Sequence, residues 1–82
     1  MTLLEVFYNF SRENRYLSKK TLKKMSVFLK LYCYIFLNKS VSSISKKDIK
    51  IAINAIENSV NRKKTKAYLN IIFKYAKINF LH

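Results

Sequence analysis

The chain has 82 residues, with 17 lysines and arginines against four carboxylates and a formal net charge of +13. That length allows one small domain burying only about 60% of the surface its unfolded chain exposes, and it excludes a second core. Half of the residues are hydrophobic and 15% are aromatic, which excludes a disordered tail. The charge costs self-repulsion unless a polyanion or an anionic surface relieves it, so nucleic acid is the first partner to consider and membrane the second.

A lone Cys33 rules out an intrachain disulfide, implies no oxidising compartment, and is read as a small buried hydrophobe. Glu5 stands near the start and no basic leader precedes an apolar core, so a secretory signal is not expected. The longest apolar run, Leu31 to Leu37, falls far short of the roughly 18 residues that suggest a membrane span. A soluble, cytoplasmic protein is expected. The chain contains no Gly and no Pro, which excludes Gly-rich phosphate loops, leaves Asn, Ser and Asp to make the turns, and favours helices.

The first predicted helix covers residues 3–13, with Thr2 as N-cap and Leu3, Val6, Phe7 and Phe10 on its apolar side. The pattern breaks over residues 14–17. A long second helix is predicted over residues 18–38, capped by Ser18, where Leu22, Met25, Leu29, Tyr32 and Phe36 recur at steps of three and four. Lys19, Lys20, Lys23, Lys24 and Lys30 fan across its other side. Val27, Leu31 and Tyr34 project away from the main stripe, and packing under the first helix is the expected explanation. A contact with another protomer or domain is the alternative.

After a polar loop anchored by Val41 and Ile44, Ser45-Lys46-Lys47-Asp48 resembles a capping box and opens a third helix over residues 46–57. Its stripe is Ile49, Ala52, Ile53 and Ile56. The stretch 58–61 makes the next break, and a fourth helix is predicted over residues 61–79. Thr65, Tyr68, Leu69, Ile72, Phe73 and Ala76 point inward on it, with Lys63, Lys66, Asn70, Lys74 and Lys77 opposite. An ordinary solvated helix face mixes signs, whereas the second and fourth helices contain no acidic residue. Lysine and arginine in their first turns oppose the helix dipole, a small cost that a bound phosphate would reverse.

The ordered set of Leu17-Ser18-x-x-Thr21, an aromatic and aliphatic helix, Val41-x-x-Ile44-Ser45-x-x-Asp48-Ile49, and Ser59 before a basic helix ending Ile72-Phe73-x-Tyr75-Ala76 resembles a known family. It is similar to the N-terminal DNA-binding domain of tyrosine recombinases and phage integrases, over residues 3–79. The resemblance implies an all-α, four-helix SAM-like bundle whose second and fourth helices enter or border the major groove of double-stranded DNA. The contacts it implies are Lys19, Lys20, Thr21, Lys23 and Lys24 in the second helix and Arg62, Lys63, Lys66, Asn70 and Lys74 in the fourth. Lysines chiefly meet phosphates, which give affinity and register, while the Asn70 amide suits an adenine edge. Lys46 and Lys47 are read as solvating a corner. The family's multimers on DNA imply a homo-oligomer in the full-length protein.

The family's catalytic domain follows this one through a linker, and the chain is expected to stop where that linker would begin, so no catalytic residue carries over. None of Tyr8, Tyr16, Tyr32, Tyr34, Tyr68 and Tyr75 has an activating Arg/His constellation. Tyr32 and Tyr68 read as core aromatics and Tyr34 as facing outward. The one histidine is His82, and the scattered carboxylates suggest no metal cluster or acid/base pair. A non-catalytic domain with no cofactor, metal or small-molecule substrate is expected. The competing readings are a helical protein-interaction module and a cationic membrane-active protein.

Overall fold

Capping side chains set where the helices begin. In the computed structural model, which describes residues 1–14 and 17–80, the Thr2 hydroxyl accepts from the Glu5 amide at 3.2 Å while the Glu5 carboxylate accepts from the Thr2 amide at 2.9 Å. This reciprocal pair opens α1 (Leu3–Glu13). Ser18 caps α2 (Lys19–Tyr32), and Ser45 and Asp48 repeat the reciprocal arrangement, at 3.1 and 3.0 Å, ahead of α3 (Lys46–Asn54). Asn58 caps α4 (Ser59–Asn79) by accepting from the Asn61 amide at 3.0 Å. Each cap satisfies amides that a helix start leaves unpaired.

The result is an all-α, four-helix globule with no strand among the described residues. Its extents are 32 × 29 × 17 Å, so it is flattened. α4 packs against each of the other three helices. Its Leu69, Ile72 and Ala76 share one core with Leu3, Val6, Phe7 and Phe10 of α1, Met25 and Leu29 of α2, and Ala52 and Ile53 of α3. Thr65 is fully buried, and its hydroxyl donates to the Asn61 carbonyl at 2.8 Å, so its burial leaves no unpaired donor. Every apolar stripe expected from the periodicity lies in or against this core, and Val41 and Ile44 anchor the loop before α3.

Three helix ends differ from expectation. The helix expected over residues 18–38 ends at Tyr32. Beyond it the Phe36 amide donates to the Cys33 carbonyl and the Lys39 amide to the Phe36 carbonyl, both at 3.1 Å, so the chain continues in tight turns. A straight helix would carry residue 39 about 9 Å further along its axis than Cys33. The turns instead fold it back over α1, where Leu37 and Lys39 carbonyls accept from the Leu4 and Leu3 amides at 3.1 and 3.2 Å. Cys33, Phe36 and Leu37 remain buried throughout, which is why the three-and-four spacing looked helical. α3 ends at Asn54 and not at 57, and α4 starts at Ser59, two residues ahead of the expected 61. Tyr16 and His82 lie outside the described residues.

Burial raises the Cys33 thiol to about 12, so it is protonated at neutral pH and shielded. Ellman's reagent should leave it unreacted in native protein and label it stoichiometrically in denaturant. Glu5 and Asp48 are held below their ordinary values of 4.5 and 3.8, chiefly by hydrogen bonds from the Thr2 and Ser45 backbone and then from their side chains. Depressed carboxylates contribute stability above their unfolded pKa and lose it as pH falls through the folded one. A melting series should therefore be flat for these groups above about pH 5 and decline below about pH 4, with a smaller decline in Asp48→Asn. Ser45→Ala should cost about 1 kcal/mol at neutral pH by urea denaturation.

Candidate nucleic-acid interface

Eleven of the 17 lysines and arginines lie on α2 and α4, two helices that hold no carboxylate. α1 and α3 begin with Glu5 and Asp48, which complement the helix dipole, while α2 and α4 have no acidic residue in the first turn. Their starts depend on the neutral caps Ser18 and Asn58, so positive charge collects where peptide dipoles already leave partial positive charge. That field favours an approaching anion.

Of the ten expected contact residues, Lys19, Lys20, Thr21, Lys23, Lys24, Lys63, Lys66, Asn70 and Lys74 are exposed. The α2 group occupies the first two turns. There the Ser18 hydroxyl accepts from the Thr21 amide at 3.1 Å and is bonded to the Thr21 hydroxyl at 2.8 Å. Thr21 thus belongs to the cap as well as to the surface. On α4, Lys63, Lys66, Asn70 and Lys74 follow at steps of three and four along about 16 Å of helix axis.

Arg62 stands apart from the other nine. It is half-buried, and its Nε and Nη2 donate to the Ile56 carbonyl at 3.0 and 2.7 Å, with a longer contact of 3.5 Å to the Glu57 carbonyl. The guanidinium closes the chain between α3 and α4 and neutralises carbonyl dipoles just beyond the end of α3. Its first role is structural.

An aromatic seam lies between the two basic helices. α2 and α4 run antiparallel, with Asn61 Nδ2 donating to the Tyr32 hydroxyl at 3.0 Å and the Phe28 and Tyr68 rings meeting edge to face at 5.6 Å. Val27 and Leu31, 49% and 57% exposed, border this aromatic seam on α2, and exposed Ile71 lies one turn from Tyr68 on α4. Tyr34 is 67% exposed. The expectation that Val27, Leu31 and Tyr34 pack under α1 is therefore corrected. The turns after Tyr32 bring α1 against Leu37–Lys39 and leave the outer side of α2 open.

On the other flank of α4, Lys66 and Asn70 share a groove of about 570 Å³ with Lys46, Lys50 and Asn54 of α3. The sequence alone makes Lys46 a solvated corner and gives Lys50 no role, whereas both line this groove. The signal for both was their i, i+4 spacing, which sets them on one side of α3. Tyr75 is desolvated between the Phe10 and Phe80 rings, at 5.4 and 5.7 Å. Its phenol is raised to about 12 by burial first and by nearby Glu13 second, although Glu13 does not complete a hydrogen bond with it. It is therefore protonated at neutral pH. Among the described residues, no three His, Cys, Asp or Glu side chains converge as a metal set. No helix among them is long and apolar enough to cross a membrane.

No family model matches the chain, and no curated protein or solved structure matches it.

Arg62→Ala should lower stability by about 1–3 kcal/mol in urea denaturation, the usual cost of losing hydrogen bonds from a charged donor. Lys63→Ala, at an exposed position one residue away, should stay within about 0.5 kcal/mol of wild type.

Proposed function

We propose that the chain is a non-catalytic, duplex-DNA-binding domain of the kind found N-terminal to the catalytic domain in tyrosine recombinases and phage integrases, working in the cytoplasm. The observation that carries this reading is the segregation of charge. Two helices without a single carboxylate present lysines on their exposed sides, beginning in turns whose dipoles already favour anions. Lys19, Lys20, Lys23 and Lys24 meet backbone phosphates from α2, and Lys63, Lys66 and Lys74 do so from α4. Asn70 offers the planar amide that pairs with an adenine edge. Thr21 contributes a short polar contact beside the cap, and Arg62 holds the start of α4 in place.

Affinity in such an arrangement is mostly counterion release. About six phosphate contacts would lower binding roughly 10³-fold between about 50 and 200 mM salt. The test is an NMR titration of labelled protein with a short duplex at both salts. Shifts are expected at Lys19–Lys24 and Lys63–Lys74 at low salt and should vanish at high salt. Lys23→Ala and Lys66→Ala should each reduce the salt slope by about one while leaving the preferred sequence unchanged. Absence of shifts in both clusters at low salt would sink the proposal.

The exposed seam of Val27, Leu31 and Ile71 supports a second reading, a helical protein-interaction module. Binding through that seam would persist at high salt.

A further inference from the structure

We propose that the groove between α3 and α4 docks an acidic, amphipathic helix from a partner protein. This goes beyond DNA binding, and it rests on the shape and chemistry of one concave site. The floor is apolar: Ile44, Ile49 and Ile53 on one side, Leu69 and Phe73 on the other. Ile44, Ile49 and Phe73 are only partly covered, so apolar surface remains open to water there. The rim is cationic on both walls, with Lys46 and Lys50 from α3 facing Lys66 from α4, and Asn54 and Asn70 adding amides. Among the described residues, no carboxylate lines it.

An occupant must satisfy both features at once. It must fill about 570 Å³ with apolar side chains while setting negative charge against lysines on two opposing walls. Duplex DNA supplies the charge but has no protrusion of apolar side chains to cover Ile44, Ile49 and Phe73. A fatty acid supplies the apolar body but a single carboxylate, which reaches one wall. A second copy of this chain is a poor fit, because it carries +13 and two of its four carboxylates, Glu5 and Asp48, are already bonded within caps. A helix with leucine-like residues at i, i+3, i+4 and i+7 and Asp or Glu flanking that stripe meets every requirement. α3 is nine residues long, so about 13 Å of partner helix, two to three turns, spans the site. Complementary charge would speed the encounter and the apolar floor would hold the complex.

The probe is a fluorescein-labelled synthetic peptide with leucine at i, i+3, i+4 and i+7 and glutamate elsewhere, followed by anisotropy with the whole chain. A second peptide keeps every glutamate and replaces the leucines with serine. Saturable binding of the first, at least about tenfold tighter than the second, is expected. The double variant Lys46→Glu/Lys50→Glu should weaken it by about tenfold or more. The same charge change at Lys30 and Lys39, outside the groove, should have a much smaller effect. Circular dichroism on both variants checks that the fold is kept. Absence of binding would overturn the proposal. Equal affinity for the serine peptide, or equal loss from both double variants, would also overturn it, since either result would mean attraction to net charge and not to the groove.

Discussion

The fold depends on how the first helix is held at its start. The Leu3 and Leu4 amides have no intrahelical acceptor, and they are bonded to the Lys39 and Leu37 carbonyls from the far end of the α2 segment. One step further, the Val41 amide donates to the Met1 carbonyl at 2.9 Å, and Thr2 pairs with Ser40 as an isolated bridge. This short patch joins residues nearly forty positions apart. It sits over buried Leu3 and Leu37, which tie it to the core. It also decides where α2 stops, which side of α2 stays open, and hence which apolar residues reach solvent.

A second constraint is the absence of glycine and proline. No described residue has a positive φ, so none of the described turns relies on left-handed backbone. Thr, Ser and Asn make the helix starts instead, and two of the four carboxylates are used up in doing so. The remaining acids cannot balance 17 basic side chains. Exposed lysine on the two acid-free helices follows from this economy of carboxylates as much as from any ligand, which is why the salt dependence of binding, and not the charge alone, separates a DNA-binding face from a solvated one.

The core was legible because burial follows helical periodicity closely. Leu3, Phe7 and Phe10, then Met25 and Leu29, then Leu69, Ile72 and Ala76 were readable from spacing alone, and so were the caps at Thr2, Ser18 and Ser45. The end of α2 was not. Cys33, Phe36 and Leu37 keep helical spacing while the backbone turns, and what ends the helix is a set of acceptors needed by residues 3 and 4, remote in sequence. The structural bonds of Arg62 were illegible for a similar reason, since its partner is a backbone carbonyl whose position depends on where α3 finishes. Lys46 and Lys50 look solvated on α3 alone, and only the packing of α4 beside them makes a cationic rim.

The placement of α4 in the middle of the molecule gives its two exposed flanks different characters. Toward α2 the surface is aromatic and aliphatic, from Phe28 and Tyr68 out to Val27, Leu31 and Ile71. Toward α3 it is an apolar trough with lysines on both rims. Exposed Lys24 and Lys64 stand one turn before Phe28 and Tyr68, so lysines flank the apolar seam between α2 and α4 on both helices. In the proposed complex, a duplex held by both helices would cross that seam, where sugar carbons and thymine methyl groups, not phosphate oxygens, suit an apolar surface. Contact at the seam would then favour close approach of the helices into a groove over loose attachment along the backbone. In that proposed geometry, shape at the seam and charge beside it would act on the same ligand.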